Sequence, residues 1–176
     1  MTQYRRFYIP ESTWFFTVNL AERRNNNLLI DNIDLLRDAF KYVKQKRPFD
    51  MNAVVIMPDH LHCIWTLPPN DADVSIRWNL LKGRFSRGIP RHERISISRE
   101  SRRERGIWQR RFWAHLIENQ DDFNRHVDYI HWNPVKHGKV NKVVDWPYSS
   151  FHRYVKQDVY SNNWGGGINL DINGGE

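Results

Sequence analysis

Cysteine is almost absent from the sequence, because Cys63 is the only one in 176 residues. An intramolecular disulfide and a cysteine-based zinc site are therefore excluded. Apolar runs long enough to span a bilayer are also missing, and the first ten residues, MTQYRRFYIP, lack the apolar core of a signal peptide. These absences predict a protein of the reducing cytoplasm that does not enter a membrane.

Several common catalytic signatures are missing as well. The sequence contains no glycine-rich phosphate loop of the P-loop type and no G-x-S-x-G elbow. Its 20 acidic residues do not cluster in the way that a two-metal nuclease requires. P-loop nucleotide hydrolases, α/β-hydrolases and acidic two-metal nucleases are therefore disfavoured.

The chain is instead rich in positive charge and in aromatic rings. Lys and Arg outnumber Asp and Glu by 27 to 20, the formal net charge is +7, and aromatic residues make up 14% of the chain. Basic surfaces favour anionic partners, and aromatic rings offer stacking surfaces for bases. Ten arginines against three glutamates fall between residues 84 and 111. This stretch is either a phosphate-contacting arm or a solvated loop that serves solubility.

The spacing of the apolar residues predicts an α+β fold. Strand-like runs occur at residues 13–20, 49–57, 62–67 and 107–117, and helical periodicity occurs at residues 30–46, 74–85 and 121–130. Their order, β-α-β-β-α-β, matches the ferredoxin-like (split βαβ) arrangement, an antiparallel sheet with helices packed on one face. We expect a single domain over residues 1–160, with an arginine-rich insert at 88–106 and a Gly/Asn-rich tail at 161–176.

The sharpest local feature is the pair His60-Leu61-His62, which directly follows the turn residues Pro58-Asp59. Side chains at i and i+2 of a strand point to the same face. Both imidazoles can therefore reach one metal ion while Leu61 enters the core. A His-x-His pair is often structural when it stands alone, but its place at the start of an apolar strand makes this one a candidate metal site.

The second feature is the segment DDFNRHVDYIHWNPV, which has helical spacing. Its core stripe consists of Phe123, Val127 and Ile130. A second stripe alongside it consists of His126, Tyr129 and Asn133. The alternative to a functional role is an aromatic residue at the edge of the core, with an Asn that caps the helix. Since Pro134 disfavours helical geometry at the preceding residue, the helix is expected to fray or bend at Asn133.

These residues carry a family resemblance. VIMPDHLHCIWTLP, followed downstream by HVDYIHWNPVKHGKV, resembles the single-tyrosine HUH transposases, whose active site combines a His-hydrophobic-His pair with a tyrosine on a helix. The flanking segments YRRFYIPESTWFFTVNL and DWPYSSFHRYV, with Tyr160 and Trp164, are similar to the REP-associated tyrosine transposases. The resemblance covers nearly the whole chain, and the insert is its least family-like part.

The resemblance implies a ferredoxin-like sheet and a specific chemistry. The family's metal ligands map to His60, His62 and Asn133, and its nucleophile maps to Tyr129. Family members cleave single-stranded DNA near short imperfect hairpins, leaving a 5′-phosphotyrosine and a free 3′-OH that allows rejoining. The implied cofactor is Mg²⁺ or Mn²⁺, of which imidazole ligands suit Mn²⁺ better. The branch implies a monomer; a homodimer is the alternative, since relatives outside the branch exchange tyrosines between subunits.

The DNA contacts and the general base are less well defined by the sequence. The predicted DNA-binding residues are Arg5, Arg6, Arg84, Arg102, Arg103, Arg110 and Arg111. By resemblance, the first two would read the few bases at the foot of the hairpin. The general base is not evident from the sequence, and His126 and a metal-bound water are both candidates.

Two other functions are compatible with the sequence. One is a non-catalytic module that binds single-stranded nucleic acid through arginines and aromatic rings. The other is a metal hydrolase that uses activated water, with Tyr129 in a structural role. A pure binding module has no need of two histidines, a tyrosine and an amide together, so the sequence favours the transposase.

Overall fold

The structure, a computed structural model, describes residues 9–165 of the chain. The strands are β1 (Thr13–Asn19), β2 (Asp50–Ile56), β3 (His60–Thr66) and β4 (Trp113–Leu116). The helices are α1 (Leu28–Asp31), α2 (Ile33–Lys46), α3 (Val74–Gly88), α4 (Ile97–Glu100), α5 (Gln120–Lys136) and α6 (Phe151–Lys156), with a 3-10 helix at Val143–Asp145. Each helix within residues 9–165 is too short or too polar to cross a membrane.

The four strands form one sheet in the order β2-β3-β1-β4. β3 pairs antiparallel with both β1 and β2, and β4 pairs antiparallel with β1. β1 and β2 therefore run parallel with β3 between them, which is the split βαβ arrangement. The predicted α+β fold with an antiparallel sheet is confirmed. The two central strands place Thr17 opposite His62 and Asn19 opposite His60.

One detail of the predicted arrangement is wrong, because helices cover both faces of the sheet. The first core lies on the side of α2 and α3 and includes Phe16, Leu61, Cys63, Trp65 and Trp78. The second lies on the side of α5 and includes Phe15, Val55, Ile64, Val127 and Ile130. A strand buried on both faces reads as a nearly continuous apolar run rather than an alternating one. The segments TWFFTVN and HLHCIWT have this character.

The strand before α5 and α5 itself also differ from the prediction. The predicted strand at 107–117 is a strand only at Trp113–Leu116, and an isolated bridge joins Trp108 to Leu20. α5 does not fray at Asn133 but continues through Pro134 to Lys136. The carbonyl of Asn133 accepts a hydrogen bond from the amide of His137 at 3.0 Å, which carries the helix past the proline. Burial of Asn133 and Pro134 outweighs the local preference against helix at this position.

Candidate active site

The two histidines of β3 lie on the sheet face that α5 covers. Their ring centroids are 5.0 Å apart, and the residues are 1% and 0% exposed for His60 and His62. His62 stacks on Phe15, which belongs to the same core as α5, whereas Leu61 and Cys63 pack in the opposite core. The alternation of side chains along the strand therefore places both imidazoles on one face, as the sequence predicts.

Each imidazole is oriented by a hydrogen bond at its Nδ1 atom. His60 Nδ1 lies 2.8 Å from Asp59 Oδ1, and His62 Nδ1 lies 2.8 Å from Thr17 Oγ1. Asp59 is itself held by Arg23, whose Nε donates to Asp59 Oδ2 at 2.7 Å. Histidines that bind metals typically use one ring nitrogen for the ion and the other for such a partner. An ion at this pair would therefore be bound through the Nε2 atoms.

The electrostatics of His60 favour the neutral imidazole. Burial lowers the pKa of His60 below its ordinary value, although the neighbouring Asp59 carboxylate opposes the shift. Burial would raise the pKa of Asp59, but hydrogen bonds from His60 and Arg23 outweigh that effect and lower it well below its usual range. His60 is therefore neutral at neutral pH, and neutral imidazole is the form that binds metal ions.

The residues present fit a divalent ion. His60 Nε2 is buried and makes no hydrogen bond within residues 9–165. A buried polar atom in that state is costly unless a ligand satisfies it. Two imidazoles and an amide oxygen, from His60, His62 and Asn133, form a donor set that such an ion accepts. Asn133 is fully buried and follows Tyr129 by one turn of α5, on the same side of the helix.

Tyr129 comes to the histidine pair from α5. Its ring centroid lies 5.3 Å from that of His62 and 6.0 Å from that of Phe15. Its hydroxyl oxygen accepts a hydrogen bond from Lys136 Nζ at 3.0 Å. β3 and α5, which lie far apart in the sequence, thus bring a phenol, two imidazoles and a lysine together in one chain.

His126, the predicted candidate for the general base, is engaged elsewhere. Its Nδ1 lies 2.8 Å from the Asp122 carbonyl and 3.1 Å from Asp122 Oδ1, and its ring stacks on His115 at 4.6 Å. Burial lowers the pKa of His126, although Asp122 opposes the shift. The predicted role of His126 as general base stays a prediction, and these contacts give it no support.

His115, Asp122 and His126 form a second cluster of metal-ligating side chains, with ligand atoms within 4.8 Å of one another. Asp122 already accepts hydrogen bonds here, at 2.8 Å with His115 Nε2 and at 3.0 Å with the amide of Glu118. These bonds attach β4 to the first turn of α5. Since Phe15 touches both His126 and His62, this cluster lies beside the histidine pair rather than within it. The pair beside Tyr129 is therefore the better candidate for catalysis.

A polar cavity of about 420 Å³ opens beside His60. It is lined by Arg23, Asn25, Asn26, Asn27, His137 and Lys139, among others. The His137 ring lies 5.2 Å from that of His60. Cationic and amide side chains are the groups that contact phosphate oxygens. Sequence reasoning missed Arg23, His137 and Lys139, although the basic run KHGK at the end of α5 was an available signal.

The predicted DNA-binding arginines fall into three groups. Arg5 and Arg6 lie outside the described residues. Arg84 pairs with Asp38 at 2.9 Å, and Arg110 pairs with Glu104 at 2.7 Å. Arg102, Arg103 and Arg111 are exposed. Arg110 is exposed as well but is ion-paired, so these three arginines are the most available for phosphate contacts.

Two further arginines hold the insert together. Arg105 pairs with Glu93 and donates to the carbonyl of Ser86 at 2.8 Å. Arg99 donates to the carbonyls of Arg105 at 2.7 Å and Trp108 at 2.9 Å. The arginine-rich stretch is therefore partly a structural element, with its own internal contacts.

Known proteins resemble this chain over its whole length. The family model of the IS200-like transposases matches residues 13–133. The REP-associated tyrosine transposase of Escherichia coli is 47% identical over 176 residues, which cover 100% of this chain and 98% of that protein. A relative from Haemophilus influenzae is 46% identical over 99% of both chains. A solved structure of a REP-associated tyrosine transposase bound to a REP hairpin superposes with a TM-score of 0.84 at 46% identity, covering 100% of this chain and 98% of the other.

Proposed function

The chain belongs to the IS200-like transposases and, within them, to the REP-associated tyrosine transposases, and we propose that it cleaves and rejoins single-stranded DNA beside a short hairpin with Tyr129 as the nucleophile. Membership makes it an enzyme that acts on DNA. The observation that carries the assignment of the nucleophile is the 5.3 Å separation between the rings of Tyr129 and His62.

The chemistry follows from the groups at this site. The Tyr129 oxygen attacks the scissile phosphorus, the bond from phosphorus to the 3′ oxygen breaks, and a 5′-phosphotyrosine and a free 3′-OH result. A phenol attacks slowly until it is activated. Because the covalent link preserves the phosphodiester energy, a 3′-OH can attack it in turn and rejoin the strand. Strand transfer then needs no nucleotide hydrolysis.

His60, His62 and Asn133 would hold the divalent ion, which we propose to be Mg²⁺ or Mn²⁺. Such an ion would neutralise charge on the scissile phosphate and orient it for in-line attack. Asp59 and Thr17 keep the two imidazoles in place through their Nδ1 atoms. The cavity beside His60, with Arg23 and Lys139 in its wall, would receive the DNA backbone next to the cleaved bond.

A monomeric active form is part of this proposal. Tyr129 lies beside His62 of its own chain, so one chain supplies both halves of the site. Light scattering on the DNA-bound protein tests whether the active form is a monomer. A dimer that is fully active only at protein concentrations above its dissociation constant would contradict the proposal. We also propose a cytoplasmic location, since the single cysteine is a buried free thiol, as in proteins of a reducing compartment.

The test is incubation with Mn²⁺ and hairpin DNA labelled at its 3′ end, so that the label stays on the strand that receives the phosphotyrosine, followed by a denaturing gel. The parent protein should yield a DNA-linked species, and Tyr129→Phe should bind the hairpin but yield none, because only the attacking oxygen is removed. Tyr148→Phe, at a partly buried tyrosine outside the site, is the matched control and should react like the parent.

The other outcomes separate the remaining functions. A covalent species from Tyr129→Phe would place the nucleophile elsewhere. Free 5′-phosphate ends formed at the parent rate would instead identify a hydrolase that activates water. Binding without cleavage by the parent protein would identify a non-catalytic nucleic-acid-binding module.

A further inference from the structure

Lys136 contacts the oxygen that the proposed reaction uses. Its Nζ atom donates a hydrogen bond to Tyr129 Oη at 3.0 Å and lies 4.7 Å from the centroid of the same ring. The residue is exposed, yet its ammonium group turns towards a fully buried tyrosine. Neither the histidine pair nor the proposed metal site explains this contact.

The backbone of α5 explains how the contact arises. Tyr129, Asn133 and Lys136 occupy positions i, i+4 and i+7, which share one face of an α-helix over two turns. This spacing holds only because α5 continues through Pro134 to Lys136. The helix therefore presents the phenol, the amide of the proposed metal site and an ammonium group in one row.

The direction of the hydrogen bond limits what Lys136 can do. An ammonium group has three donors and no acceptor, so Tyr129 Oη is the acceptor. The phenol proton of Tyr129 is therefore not used in this contact. A donor placed on an oxygen where negative charge develops stabilises the transition state more than the ground state. Among the described residues, His62 on β3 is a titratable group whose ring faces that of Tyr129, and His126 precedes Tyr129 by one turn of α5.

We propose that Lys136 is a catalytic residue that positions Tyr129 Oη and stabilises it as a phenolate, an inference that rests on the proposed role of Tyr129 as nucleophile. The phenol proton passes to water, and Oη forms a bond to phosphorus. The bond from phosphorus to the 3′ oxygen then breaks, and that oxygen takes a proton from water. In rejoining, the 3′-OH attacks the phosphotyrosine and Tyr129 departs as phenolate beside the same ammonium group. Lys136 therefore acts in both directions.

The first measurement is the single-turnover rate of covalent complex formation at saturating hairpin DNA. Lys136→Met should lower this rate about 100-fold, the typical effect of removing one donor to a developing oxyanion. Lys136→Arg should recover part of the rate, because a guanidinium group also donates charged hydrogen bonds. Lys156→Met makes the same charge change at an exposed position at the end of α6 and should leave the rate unchanged.

Two alternative roles for the lysine are separated by further readouts. If Lys136 only contacts a DNA phosphate, Lys136→Met will weaken hairpin binding and react at the parent rate once saturated, which overturns the proposal. If Lys136 instead protonates the leaving 3′ oxygen, DNA in which sulfur replaces that bridging oxygen will react with Lys136→Met as fast as with the parent protein, because a thiolate leaves without a proton. With this substrate we expect the Lys136→Met defect to persist, and its disappearance overturns the proposal.

The test also separates this inference from the proposed function. A covalent complex formed by the parent and by Lys136→Met at equal rates refutes the role of Lys136 and leaves Tyr129 as the nucleophile. The absence of any covalent complex with the parent protein refutes the proposed function and the role of Lys136 with it.

Discussion

Replacing Asp59 by Asn tests whether the anchoring of His60 controls the binding of a divalent ion. Asp59 Oδ1 lies 2.8 Å from His60 Nδ1, and its other oxygen accepts from Arg23 at 2.7 Å. Asn keeps the shape of the side chain but removes its negative charge. Its NH₂ group also cannot accept a hydrogen bond from Arg23 or His60. Removal of such a partner typically weakens metal binding by about 10- to 100-fold. That range corresponds to about 1.4 to 2.7 kcal/mol of binding free energy.

Calorimetric titration of the DNA-free protein with Mn²⁺ measures this effect directly. A second titration follows covalent complex formation against Mn²⁺ concentration. The half-maximal Mn²⁺ concentration should rise by the same factor, and complex formation should recover at high Mn²⁺. Asp34→Asn is the matched control, because Asp34 pairs with the exposed Arg37 on α2, away from the site. Parent-like Mn²⁺ affinity of Asp59→Asn would refute the role of Asp59, and an activity defect that Mn²⁺ does not rescue would assign Asp59 to DNA binding or folding instead.

Two further predictions concern the arginine-rich stretch. Replacing Arg102, Arg103 and Arg111 together by Gln should reduce the slope of log affinity against log salt concentration, measured by fluorescence anisotropy. The expected reduction is about 0.7 for each phosphate of single-stranded DNA that the variant no longer neutralises. An unchanged slope would assign these exposed arginines to solubility. The hydrogen bond from Arg105 lowers the pKa of Glu93 to about 2, although burial opposes the shift. Because this folded-state pKa lies below the ordinary value, the stabilisation is present above about pH 4.5 and disappears as the pH falls towards 2. Glu93→Gln should reproduce that destabilisation at neutral pH as faster proteolysis within residues 88–106, and parent-like resistance would contradict it.

The sheet and the histidine pair were predictable because their signals are local. A period of two in HLHCIWT places His60 and His62 on one face whatever packs against them. The row of Tyr129 and Asn133 likewise follows from the period of an α-helix. The layering was not predictable in this way, since an apolar strand does not reveal which helix will cover each face. α5 covers the face opposite to that of α2 and α3, whereas the prediction placed the helices on one face.

The hydrogen-bond partners of the site residues could not be predicted from the sequence, because they depend on tertiary structure. Arg23 reaches Asp59 from the loop that follows β1, and Thr17 reaches His62 because β1 and β3 pair in one register. Lys136 could have been found from the spacing i, i+7. The rule that proline disfavours helix at the preceding residue pointed the other way, and it hid the continuation of α5.

The end of α5 joins the two halves of the proposed site. The amides of Gly138 and Lys139 donate to the carbonyls of Val135 and Pro134, both at 2.9 Å, and Gly138 has a φ of 62°. A glycine in this left-handed conformation commonly closes a helix and reverses the chain. Just before this reversal, the ring of His137 lies 5.2 Å from that of His60, and the preceding residue, Lys136, contacts Tyr129. A side chain at position 138 would strain this turn. A neighbour of the proposed nucleophile and a neighbour of the histidine pair are thus consecutive residues, so we expect a change at this helix end to affect both the phenol and the proposed metal site.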